Sequence, residues 1–338
     1  VRPVRLAANQ PPRFYRGGAA IADLRDAPSA VEFGPEDWVA STTTLFGVAE
    51  SGLSRLPGGR WLRDEVRAAP SAWLGAEHTA AFADDPALLV KLLDAGQRLP
   101  VHCHPSDSFA QAHLGCRFGK TEAWVVVGTT GPDPLVYIGF REDVDAATVR
   151  AWVSTQDSSA MLGALNAVRV QPGDTVFVPA GLPHAIGEGV FIVELQQPTD
   201  LSVMLEWRGF ADDESAGHLG LGYETALACV DTSGWSADRL AGLVRETRDR
   251  RAPVVPLLPA EADAFFRADR LHPGSVVELE PSFAVLVVLE GAGVLRTDSD
   301  DLAVRRGDTV VVPHGAGAAR LEGDVVAVRC RPPAPGRK

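Results

Sequence analysis

Two distant stretches of this chain carry side chains that ligate metals. The first is His102-Cys103-His104, followed by Glu122. The second runs Gly173-Asp174-Thr175-Val176-Phe177-Val178-Pro179-Ala180-Gly181-Leu182-Pro183-His184 and ends on a third imidazole. Residues two apart on a strand face the same side, so His102 and His104 can point into one interior while Cys103 turns to the opposite, packed face. Three imidazoles and a carboxylate suit Zn²⁺, Fe²⁺, Mn²⁺ or Ni²⁺. A lone His-x-His is common by chance; the spacing Gly-(x)5-Pro-x-Gly-x-x-His is specific and raises the pair to a candidate metal centre. Four protein ligands still permit chemistry when the ion expands its coordination to admit water and substrate.

Other charged residues lie near these stretches. Lys120 stands two positions before Glu122. On a shared strand face it would enter the pocket, to bind an oxyanion or to relay a proton if desolvation lowers its pKa; otherwise it is a surface lysine. Glu206 is a candidate acid or base, or else a solvated strand residue. Lys91 sits in an apolar run, where a snorkelling side chain is the plainer expectation. His78, His113, His218, His272 and His314 have no partner spacing and read as structural or exposed. Ser106 and Asp107 read as a turn.

The elements that must position these residues are mostly strands. Residues 101–104, 122–127, 135–140, 167–171, 175–178 and 190–195 have strand composition. Residues 37–43 form a further β-like run. Helices are expected over 62–69, 145–156 and 158–164, the second capped by Asp143 or Asp145. Residues 87–95 read either as a helix capped by Asp85 or as a buried strand, because periodicity cannot separate the two in a short apolar run. The composition turns helical over 211–252, with helices expected over 222–230 and 236–248. Short strands then recur over 275–280, 283–290, 293–296, 302–305, 309–312 and 325–330, the pattern of a small antiparallel barrel or jelly roll. Gly173-Asp174-Thr175-Val176-Phe177-Val178-Pro179 is echoed by Gly307-Asp308-Thr309-Val310-Val311-Val312-Pro313, but Ala318 stands where the first copy has His184. The expected organisation is a metal-binding domain over 1–210, a helical segment over 211–252, and a second, degenerate, metal-free domain over 253–338.

Composition narrows the function classes. The chain has 338 residues, enough for more than one core. With 32 Lys and Arg against 44 Asp and Glu, its formal charge is −12, and no basic stretch is concentrated, so a nucleic-acid partner is not expected. No apolar run approaches a membrane span, and no signal-peptide core follows the N-terminus. The four cysteines form no Cys-x-x-Cys pair, which fits a reducing, cytoplasmic setting.

Taken with their context, these motifs resemble the two halves of the cupin signature, and more narrowly type I phosphomannose isomerases. Five segments carry the resemblance: Leu88 to Ala95, Leu99 to Pro105, Gly119 to Trp124, Pro179 to Gly187 and Val193 to Asp200. The resemblance covers most of the chain. It implies a mainly β protein with helical insertions, built of two jelly-roll barrels, that interconverts an aldose phosphate and a ketose phosphate through an enediol, using zinc. It places His104, Glu122 and His184 among the metal ligands, and His102 where the family usually has glutamine. The family's arginine beyond the Gln-Gln…Asp segment falls at Met204, with Arg208 four residues on as a substitute catalytic cation. The implied partner is a small sugar or sugar phosphate, the implied assembly a monomer or homodimer. The third imidazole, His102, makes an iron- or manganese-dependent oxygenase the competing reading. Met204 motivates a third, a non-catalytic sugar-binding protein.

Overall fold

The computed structural model of the chain describes residues 1–338 apart from 249–251, 273, 275, 299, 335, 337 and 338. Ser275, the first residue of one expected strand, lies outside the described residues. The named strands form three sheets, and every pairing between them is antiparallel.

One sheet has six strands, in the order Val244–Glu246, Asp174–Val178, Glu122–Thr129, Val190–Gln196, Leu89–Asp94 and Glu36–Val39. A second has five, ordered Val203–Met204, His102–Cys103, His184–Ile186, Leu135–Phe140 and Leu165–Arg169. The strands Leu89–Asp94 and Val190–Gln196 of the first sheet are buried along their whole length and mostly apolar, with Lys91, Asp94, Glu194 and Gln196 the polar members. One core cluster joins Leu92, Trp124, Val176 and Ile192 of that sheet to Val136, Ile138 and Ile186 of the other. The two sheets therefore face each other, as in a sandwich that buries alternate residues of both inner faces.

Residues 87–95 resolve as the strand Leu89–Asp94, held on both sides by Val190–Gln196 and Glu36–Val39. The helices Leu62–Ala68, Ala146–Thr155 and Ser158–Ala164 fall where expected, the last two capped by Asp145 and Asp157. Two expectations are corrected. Ser106 and Asp107 do not merely turn the chain: Ser106 caps the helix Asp107–Leu114. Over residues 236–248 the helix stops early, at Ala237–Ala241, and Val244–Glu246 joins the open edge of the Asp174–Val178 strand. There Leu243 is buried and its carbonyl accepts from Phe177, so edge pairing overrides helix propensity.

The remaining eight strands form a third sheet, dominated by Ala284–Thr297 and Ala319–Arg331. The strands expected separately over 283–290 and 293–296 are one continuous strand here. The ladder runs through Gly291 and Gly293 with a bulge between Val288 and Glu290. A Cβ at Gly293 would lie 2.1 Å from the Glu322 carbonyl oxygen, so glycine marks close backbone approach here. The sequence repeat has matching local structure. Gly173 and Gly307 both have positive φ, and Asp174 and Asp308 each accept from the backbone N–H three residues earlier. The third sheet also takes in the N-terminal strand Val4–Leu6, paired with Thr309–Val312. Among the described residues, no helix is long and apolar enough to cross a membrane.

Candidate metal centre

The two facing sheets deliver the four expected donors to one buried point. His102 pairs directly across from His184 in the five-stranded sheet. His104 follows that strand, and Glu122 opens a strand of the opposite sheet. The three imidazole rings lie 4.2, 4.9 and 5.0 Å apart, centre to centre. One ligating atom from each falls within 4.8 Å of the others.

The backbone sets the orientation of each ring. Nδ1 of His102 donates to the Pro100 carbonyl at 2.8 Å, that of His104 to Leu201 at 2.8 Å, and that of His184 to Leu182 at 2.7 Å. A carbonyl can only accept, so each Nδ1 carries the proton and each Nε2 keeps its lone pair. This is the outer-shell arrangement that aims neutral imidazoles at a metal. Burial first, then the crowding of His184, His104 and Lys120 against any added positive charge, holds His102 well below the ordinary histidine pKa; burial and Lys120 bring His104 down to about 3. Both are therefore neutral, as a ligand must be.

Glu122 completes the set. Its Oε2 lies 3.0 Å from His104 Nε2 and its Oε1 lies 3.3 Å from His184 Nε2. Burial raises its pKa, but the Lys120 ammonium beside it outweighs that and holds the carboxyl well below its usual range. Trp124 Nε1 donates to Oε1 at 2.9 Å and fixes the carboxylate plane. His184 Nε2 and Glu122 Oε2 are buried yet lack a well-formed hydrogen bond. Such orphaned atoms are costly unless something else satisfies them, and a cation between neutral imidazoles and a carboxylate does so. The residues present fit a divalent metal.

Tight turns hold these segments. Gly181, with φ +87°, donates its N–H to the His104 carbonyl at 2.7 Å and so ties the His184 turn to the His104 segment. A Cβ there would stand 2.9 Å from the Cys229 carbonyl. On the other side, Asp107 Oδ1 accepts from Gly119 N–H and from Gln197 Nε2, both at 2.8 Å, clamping the approach to Lys120 and Glu122. Cys103 points away from the centre, as alternation requires, and its sulfur lies 3.6 Å from that of Cys229.

Lys120 is buried against the centre. Its ammonium is 2.9 Å from Glu122 Oε2, 3.0 Å from His104 Nε2 and 3.7 Å from Glu194 Oε1. From there a line of alternating charge crosses the six-stranded sheet. Lys91 lies 3.6 Å from Glu194 and 3.2 Å from Glu36; Arg13 lies 3.0 Å from Glu36 and 3.2 Å from Asp200. Tyr15 and Trp38 donate to Glu36 at 2.6 and 2.7 Å. Lys91 does not snorkel; it is 2% exposed and stands over the Trp38 ring. Glu194 has its pKa raised, by burial first and by Glu122 beside it. Sequence reasoning does not assign Lys91, Glu194 or Arg13 to the site. A single charge inside an otherwise apolar strand run is the available signal for the first two; Arg13, in a Pro-rich loop, gives none.

His102, His104, Lys120, Glu122 and the charged line from Glu194 to Asp200 border one cavity of about 270 Å³. Met204 and Leu219 line it as well. His184 is fully buried and contributes no wall to it. Glu206 and Arg208 stand outside. The Glu206 carboxylate takes two 2.7 Å hydrogen bonds from Arg98 and one from Val101 N–H. The Arg208 guanidinium lies near the Trp207 ring and the Thr155 carbonyl.

Comparison with known proteins gives the same architecture. Residues 269–332 match the mannose-6-phosphate isomerase cupin-domain family. The chain is 35% identical over 118 residues to the mannose-6-phosphate isomerase ManA of Bacillus subtilis, a stretch that spans 35% of this chain and 36% of that protein. The crystal structure of the mannose 6-phosphate isomerase of Bacillus subtilis superposes with a TM-score of 0.77 over 98% of this chain and 100% of that one, at 20% identity. A mannose 6-phosphate isomerase bound with zinc and yttrium superposes at 0.73 over 99% of this chain and all of that one, at 17% identity. The chain thus has the fold of the mannose 6-phosphate isomerases, and His102, His104 and His184 form a buried cluster able to hold a metal ion.

Proposed function

We propose that the chain is a metal-dependent aldose–ketose isomerase acting on a small sugar, with His102, His104, His184 and Glu122 holding one divalent ion, zinc by preference. The observation that carries this reading is the convergence of three Nε2 lone pairs and a carboxylate at the floor of a cavity that also presents Lys120 and Glu194. The likeness to mannose 6-phosphate isomerases, one of them bound with zinc, supports it.

When bound, the ion supplies a Lewis acid that polarises the sugar carbonyl and spreads the charge of an enediolate. The protein supplies the proton transfer. Aldose-to-ketose exchange requires a base to take the proton from C2 and return it to C1, while a proton passes from O2 to O1. Glu194 is the base in this reading. Its raised pKa makes it a stronger base than a free carboxylate, and Lys120 and Lys91 hold it in place. Lys120 donates to the oxygens as charge develops on them. The acid–base role expected of Glu206 passes to Glu194, because Glu206 is held by Arg98 outside the cavity.

Isomerisation of an aldose in D₂O tests the proposal. Deuterium appearing at the carbon adjacent to the carbonyl, no oxygen uptake, and loss of turnover on chelation are the expected results. No conversion of any aldose by metal-replete protein would refute it. A second reading, an iron- or manganese-dependent oxygenase on the same donors, is favoured by the third imidazole, His102; oxygen uptake would mark it.

A further inference from the structure

The cavity has two chemically different ends. Its floor holds His102, His104, Lys120, Glu122 and Glu194. Toward solvent the lining becomes apolar, with Phe14, Phe46 and Val48 exposed by 43%, 45% and 48% and Leu45 and Leu219 beside them. Among the described residues three lysine and arginine side chains line it, and carboxylates engage each one. Arg13 is held by Glu36 and Asp200, Lys91 by Glu36 and Glu194, and Lys120 by Glu122 and Glu194. With Glu122 given to the divalent ion on the floor, three carboxylates, Glu36, Glu194 and Asp200, still stand within ion-pair distance of the three cations.

A phosphate monoester carries about −1.5 to −2 charges at neutral pH and is bound through free cations or a nest of N–H donors. Arg13, the cation farthest from the metal centre along the charged line, has none to spare. A phosphate reaching it would meet Asp200 and Glu36 as well, and removing that dianion from water against two carboxylates is costly. The apolar rim offers a phosphate nothing, but it fits the C–H face of a neutral sugar.

Resting on the isomerase reading above, we infer that this cavity selects an uncharged, unphosphorylated sugar over its terminal phosphate ester. The mouth, lined by Phe14, Phe46 and Val48, provides the selection.

Calorimetric titration of the full chain, loaded with zinc, with mannitol and with mannitol 6-phosphate tests this. Neither ligand has a carbonyl, so binding is read apart from turnover. Mannitol is expected to bind at least about tenfold more tightly than its phosphate. Val48→Lys, an exposed change that places a free cation at the mouth, is expected to shift that ratio roughly threefold toward the phosphate. Tighter binding of the phosphate by the unaltered protein, no binding of mannitol, or an unmoved ratio in the variant would each overturn the inference. Mannose turnover is measured on the same preparation. Mannitol selected over its phosphate with no aldose converted would remove the isomerase reading and leave the selection standing.

Discussion

At the scale of single residues, the centre depends on proton placement. Three backbone carbonyls hold the Nδ1 protons and leave three lone pairs converging beside one carboxylate. Glu122→Gln keeps the shape but removes the only anionic ligand, and the affinity for a divalent ion should fall by more than about tenfold, as read by competition with a chromophoric chelator. An unchanged affinity would remove Glu122 from the ligand set. Lys91 acts differently, by separating Glu36 from Glu194, both buried. Lys91→Met leaves two carboxylates without their shared cation and should cost about 3–5 kcal/mol in urea unfolding. The grouping of the three imidazoles was legible in the sequence because alternation and turn spacing are local. The role of Lys91 was not, since its partners come from strands more than fifty residues before it and a hundred after it in the chain.

At the scale of elements, short segments are held by groups outside the cavity. Glu206 fixes the entry to the His102–Cys103 strand through Val101 N–H and Arg98. Burial opposes the charge on Glu206, but these hydrogen bonds outweigh it and lower the pKa. A carboxyl depressed on folding stabilises the protein above its unfolded pKa and loses that contribution as pH falls through its folded pKa. Glu206→Gln should therefore cost about 2 kcal/mol at pH 7, with the difference from the unaltered protein shrinking once the pH drops below about 4. A pH-independent difference in urea midpoints would contradict this. Gly181→Ala sets a Cβ against the Cys229 carbonyl at a positive φ, and should destabilise the fold by about 1–2 kcal/mol while weakening metal binding through a displaced His184. Long strands such as Leu135–Phe140 were readable from composition. The pairs His102–Cys103 and Val203–Met204 are two residues long, too short to carry a period, and Val244–Glu246 is a strand only because a sheet edge is open to it.

At the scale of the molecule, the sheets are tied across the boundaries expected at residues 210 and 252. Val4–Leu6 belongs to the C-terminal sheet, and Val244–Glu246 belongs to the first. The buried Thr175 hydroxyl donates to the Leu257 carbonyl, and the Phe177 ring packs at an angle against Phe265 and Phe266. One cooperative transition is therefore expected in guanidinium, with far-UV dichroism and tryptophan fluorescence coinciding, since all seven tryptophans lie before residue 236 and fluorescence reports only that part. Two separated transitions would show that the sheets fold independently. Fold and chemistry rest together on segments as far apart in sequence as His102 and His184 enclosing one ion between facing sheets. Anomalous diffraction at the zinc edge, from crystals grown with zinc, tests it most directly. The account predicts one strong peak about 2.0–2.2 Å from Nε2 of His102, His104 and His184 and from a Glu122 oxygen. No peak there, or ordered water in its place with zinc bound elsewhere, would contradict it.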